Sequence, residues 1–157
     1  GSLQGRVKSE ILREFGEERY VAWRRSHDVA PPPISAAEFE RLARDQRYAA
    51  IPTELIPHAE SLVQVTTRLL PYWSGAITPG LRAGRIACIV AHGNSLRALV
   101  THLDRLSGEA SARLNIPTGI PLVYELDDSL EPVTPGGRYL DQERAVIAIE
   151  AVANEGR

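Results

Sequence analysis

The 157 residues contain no methionine, one cysteine and, among eighteen basic side chains, one lysine, Lys8. The absence of methionine predicts that the chain is not a complete translation product. A lone cysteine, Cys88, set in an apolar run, excludes an internal disulfide framework and fits a reducing cytosol. Aromatic residues make up 6% of the chain, and no apolar stretch approaches the ~20 residues of a membrane span. The polar N-terminus lacks the apolar core of a signal peptide, so none is expected. A formal net charge of −2 leaves no footprint for nucleic acid or for an anionic membrane. What is there is 43% hydrophobic and 24% charged, ordinary for one soluble globular domain that can bury a core unaided.

Residues 9–26 read as helix, with Ile11, Leu12, Phe15, Tyr20 and Trp23 forming a rough apolar face and Gly16 a weak point near its middle. Pro31-Pro32-Pro33 forces an extended segment. Ser35 and Glu38 then form a capping-box pattern, with Ile34 and Phe39 spaced as a hydrophobic staple, for a helix reaching about Arg47. A loop is expected over residues 48–58, and an amphipathic helix over residues 60–77, kinked at Pro71.

Residues 86–91, apolar throughout and rich in β-branched side chains, predict a buried parallel strand, central to a sheet. His92-Gly93-Asn94 should turn the chain into a helix over residues 95–106. Residues 121–126 read as a second strand, Gly136-Gly137 as a loop, and residues 141–154 as a last helix. Strands separated by helices, without repeat or linker, give one α/β layered domain over residues 1–157.

The strand, turn and helix around His92 would make an anion site, because the free N–H groups and dipole of the helix start face the ligand. His92 could donate to a phosphoryl group there. It could equally hydrogen-bond backbone within the turn while Asn94 or Ser95 caps the helix. Arg24 and Arg25 could clamp a phosphate or carboxylate in bidentate fashion, or simply complement a helix C-terminus. Lys8 carries no motif of its own. His27, His58 and His102 lack metal-ligand spacing, and Cys88 reads as a packing residue.

These motifs together resemble the cofactor-dependent phosphoglycerate mutases of the histidine phosphatase superfamily. The start GSLQG with Lys8, then FGEE at 15–18, WRRS at 23–26 and PPP at 31–33, follow that family's order. So do AHGNSLRAL at 91–99, LNIPTGIPL at 114–122 and Val152-Ala153-Asn154. The resemblance covers the whole chain. It implies the family's three-layer α/β/α fold with a mostly parallel sheet, incomplete here because the chain matches its C-terminal part.

The same resemblance makes His92 a catalytic residue that stabilises the phosphoryl group in transfer. Lys8, Arg24, Arg25, Gly93 and Asn94 become substrate-binding residues, and Lys8, Arg24, Arg25, His92 and Asn94 are expected to converge around one anion site. The implied activity is interconversion of 2- and 3-phosphoglycerate through a phosphohistidine, with 2,3-bisphosphoglycerate as primer and no metal. A cytoplasmic setting in glycolysis and gluconeogenesis, and self-association into homo-oligomers, follow from the family alone. The family's phosphorylated histidine lies in an RHG motif, and its acid–base glutamate just before the segment matched by residue 1. Neither motif occurs in these residues, since only His92 precedes a glycine. The chain alone is therefore expected to be inactive. Ala59-Glu60-Ser61 and His27 also depart from the family pattern. A phosphatase of the superfamily, or a non-catalytic anion-binding remnant, are the competing expectations.

Overall fold

Residues 9–26 form two helices, α1 (Lys8–Phe15) and α2 (Glu17–Arg25), because Gly16 between them takes φ 80° and ψ 165°. That conformation is open to glycine and costly for any residue with a Cβ. The computed structural model describes residues 1–153. The two helices pack together, with Phe15 and Trp23 edge to face at 5.0 Å between ring centroids.

Helix α3 (Ala36–Ala43) starts at the expected capping box: Ser35 accepts from the Glu38 N–H while the Glu38 carboxylate accepts from the Ser35 N–H. It stops four residues short of Arg47, and Phe39 stacks on His58 at 3.8 Å. A second capping box, Ser61 with Gln64, starts α4 (Leu62–Tyr72). The kink expected at Pro71 takes the form of a π-helical turn, Trp73–Ile77, leading into α5 (Thr78–Arg82). Proline removes one N–H from the ladder, and widening the next turn absorbs the mismatch.

Helix α6 (Gly93–Leu103) lies against α4, and their facing side chains form the core. Leu62 and Val65 meet Ala98, while Trp73 meets Leu99 and Leu103. A short helix, α7 (Gly108–Arg113), docks on α6, and the buried Thr101 and Ser111 hydroxyls share a 2.7 Å hydrogen bond. Strand β1 (Leu122–Val123) pairs antiparallel with β2 (Arg138–Tyr139), in the register Leu122 to Tyr139. Gly137, at φ 60°, sits so close to the Val123 carbonyl that a Cβ would lie 2.6 Å from it. Asp104 at the end of α6 accepts from the Tyr124 hydroxyl and the Gly136 N–H, tying the strands to the helices. Burial, then the bond to Asp104, hold the Tyr124 phenol above its usual range. Helix α8 is Gln142–Ala153, and Asn154 of the expected last helix lies outside the described residues.

The layering is thus mixed α/β but helix-rich, and the described residues contain no parallel sheet. Residues 86–91 correct the expectation of a central buried strand. They form no strand and exchange no backbone–backbone hydrogen bond with another described segment, and Ile86 and Val90 are 98% and 92% exposed. Only Ile89 reaches the core, against the Trp73 cluster. A β-strand exists only where a neighbour takes its N–H and C=O groups, and no described segment lies alongside. The apolar segment instead borders an open groove of about 600 Å³, floored by Trp73, Leu99 and Leu103.

Candidate anion-binding site

The two candidate site segments are joined by one side chain. Arg97, on α6, donates from Nη1 to the Arg24 carbonyl at the end of α2, a 3.0 Å bond between residues 73 apart in sequence. Trp23 and Ser26 from the α2 end, Asn94 and Arg97 from α6, and Glu60 and Ser61 line a small polar cavity of about 30 Å³. That is room for one or two waters.

His92 is the N-cap of α6, with extended backbone (φ −62°, ψ 145°), and its Nδ1 accepts from the Asn94 N–H at 3.2 Å. The helix therefore begins two residues before the expected Ser95, and the capping is done by His92 itself. A ring whose Nδ1 accepts carries its proton on Nε2, as assigned from this bond. The Nε2–H is then a donor on an exposed side chain. The backbone reading of His92 holds: the cap fixes the ring, and leaves its other nitrogen as a donor. With the Asn94 N–H taken by His92, the N–H groups of Gly93 and Ser95 remain outside the helical ladder, at the positive end of the dipole.

Arg24 and Arg25 end α2, both half-buried. Arg24 donates to the Tyr20 hydroxyl at 2.8 Å and lies 5.2 Å from that ring's centroid. Arg25 donates to Asn115 Oδ1 at 2.6 Å, which anchors it to the segment entering β1. Lys8 stands in the first turn of α1, half-buried. Of the expected site residues, Asn94 alone lines the small cavity and Gly93 borders the apolar groove; Lys8, Arg24, Arg25 and His92 are in neither lining. The chain thus brings the arginine pair to the start of α6 through Arg97, without closing all six residues around one pocket.

Arg97 was missed by sequence reasoning, yet it carried a signal. It falls within the apolar run of α6, three residues after Asn94 and so on the same face. It is 6% exposed. Desolvation, then the charges of Arg25 and Arg24, push its guanidinium below its ordinary value. Among the described residues there is no cluster of three His, Cys, Asp or Glu side chains placed to hold a metal. No helix there is long and apolar enough to cross a membrane.

No protein-family model matches the chain. Its whole length is similar to proteins named 2,3-bisphosphoglycerate-dependent phosphoglycerate mutase. The identity is 55% to the protein of Streptomyces avermitilis, over 158 aligned positions and 62% of that protein's length. It is 54% to that of Thermobifida fusca, over 64% of its length, and 56% to that of a Nocardioides species, over 63%. The chain thus spans somewhat less than two thirds of these relatives. The resemblance carried by the motifs holds from the first residue to the last.

Proposed function

We infer that this chain is the C-terminal part of a 2,3-bisphosphoglycerate-dependent phosphoglycerate mutase, an isomerase that interconverts 2- and 3-phosphoglycerate. The observation that carries the reading is the Arg97–Arg24 link, which sets an arginine pair beside a histidine-capped helix start. The relatives' shared name agrees with it.

The chemistry of the donor set fits a ligand with two phosphates and a carboxylate. Arg24 and Arg25 offer planar forks for oxyanions, Lys8 a point charge, and the start of α6 two backbone N–H groups. When bound, 2,3-bisphosphoglycerate supplies the phosphoryl group that primes the enzyme. Arg24, Arg25 and Lys8 would hold the anionic groups and keep the reacting oxygen in line. His92 would donate from Nε2 to a phosphoryl oxygen as charge builds, held in that tautomer by Asn94. The histidine nucleophile and the acid–base glutamate belong, on this reading, to residues beyond these 157. The chain alone would bind without turning over.

The finer fold belongs here too. In the longer protein, residues 86–91 would be an inner strand of a mostly parallel sheet in a three-layer α/β/α domain. Their exposed apolar side chains and unpaired backbone support that reading. A cytoplasmic glycolytic setting and a homo-oligomer complete the proposal.

The test is an enolase-coupled assay on the longer protein, run beside a phosphate-release assay on the same preparation. Mutase turnover well above phosphate release is expected. Phosphate release alone would make the protein a phosphatase. Neither activity, with 3-phosphoglycerate still bound, would make it a binding remnant.

A further inference from the structure

Arg97 is the least easily explained side chain in the chain. A guanidinium lodged among apolar residues ordinarily meets a carboxylate, because water no longer shields its charge. Here, among the described residues, the charges that act on it are the like charges of Arg25 and Arg24. Glu60 borders the same small cavity, but its carboxylate accepts from Arg68 Nε at 2.5 Å and from Nη2 at 3.1 Å. Among the described residues, no carboxylate lies within ion-pair distance of Arg97. Its Nε is also buried without a hydrogen-bond partner.

One contact says what the side chain is placed to do. Nη1 donates to the carbonyl of Arg24, in the last turn of α2, where carbonyl groups have no helical partner. That bond fixes the backbone from which both the Arg24 and Arg25 side chains depart.

We propose that Arg97 is a positioning residue for the arginine pair: it fixes the end of α2 so that Arg24 and Arg25 present their forks to an anionic phosphoglycerate. It also adds a third positive charge, shielded from water, behind them. The inference rests on the reading of Arg24 and Arg25 as the substrate clamp. Arg97 acts through the clamp and does not touch the reacting atoms.

The experiment uses the longer protein, with 3-phosphoglycerate as the ligand and thermal unfolding recorded on every variant. Arg97→Ala should raise KM about tenfold or more, the value of one charge-assisted hydrogen bond, while kcat changes little. Arg97→Lys keeps the charge without the fork, and its KM should fall between the two. Arg24→Ala and Arg25→Ala serve as the reference. If both leave KM unchanged, the clamp reading itself fails. If they raise KM while Arg97→Ala and Arg97→Lys keep the parent value, only the role of Arg97 is overturned. Should Arg97→Ala not fold, Arg97→Lys decides: a raised KM at unchanged unfolding temperature supports the proposal. An activity loss that merely follows the folded fraction overturns it.

Discussion

Truncating Ile86 or Val90 to alanine tests whether residues 86–91 are an inner strand in the longer protein. In the structure described, these side chains are 98% and 92% exposed. Exposed truncations of this kind ordinarily change stability by less than about 0.5 kcal/mol. If a neighbouring strand and a covering layer bury them, each loses its transfer free energy and leaves a cavity. Ile86→Ala should then cost about 2–5 kcal/mol, and Val90→Ala somewhat less for its smaller side chain. Against a domain stability of ~5–15 kcal/mol, either value is easily resolved. Ile89→Ala is the internal control, because Ile89 already packs on the Trp73 cluster and should be costly in any context.

Denaturant unfolding of the longer protein gives the free energies, and amide exchange supplies a second reading. Residues 86–91 make no backbone–backbone hydrogen bond to another described segment, so in the 157-residue chain their amides should exchange almost freely. In the longer protein they should be among the most protected. Free exchange there, with Ile86→Ala and Val90→Ala both near zero, would refute the inner-strand reasoning. The same exposed apolar edge predicts that residues 1–157 alone aggregate or unfold without a cooperative transition.

Gly16→Ala forces a Cβ into φ 80° and should destabilise the α1–α2 junction by about 1–2 kcal/mol, read from denaturant midpoints at unchanged slope. In the longer protein, His92→Asn keeps a cap acceptor and should preserve the unfolding temperature, yet lower kcat by roughly 10²–10³; unchanged turnover would remove His92 from the chemistry. Asp45 is held at about 2, below its ordinary 3.8, by the Arg47 side chain, and the Ser35 hydroxyl lowers Glu38. Depressed carboxylates stabilise the fold above their ordinary values, so this part of the chain should loosen as pH falls from 3.8 toward 2, followed by the Asp45 carboxyl shift in NMR. A midpoint at the ordinary value would show that the Arg47 contact is absent in solution.

Local signals were the legible ones. The Ser35–Glu38 box, the break at Pro31-Pro32-Pro33 and the disturbance at Pro71 are all dictated within a few residues, and each is found where the sequence puts it. Gly16 was visible as a weak point, but its splitting of the helix depends on a backbone angle that composition does not reveal. Strands were legible only as composition. Residues 86–91 have the makeup of a buried strand, while pairing depends on which other residues are present to accept and donate. Residues 138–139, by contrast, carry no strand pattern, and pair because the Gly136-Gly137 turn delivers them to β1.

The site divides along the same physical line. Histidine before glycine at the start of an apolar helix is a local pattern, and it located the turn, but the cap is His92 itself and not the expected Asn94 or Ser95. The arginine pair is also local, and for that reason ambiguous, since two basic residues at a helix end satisfy the dipole with no ligand at all. What separates the readings is a residue on another helix. A purely dipolar pair would need nothing behind it, whereas this one has a buried third guanidinium bonded to its backbone and left with an unpaired N–H. The bond from Arg97 gives the end of α2 a fixed backbone, which a pair that only complements the dipole would not require. Sequence spacing of 73 residues hides that contact, and only the packing of α6 against the α2 end brings it into view.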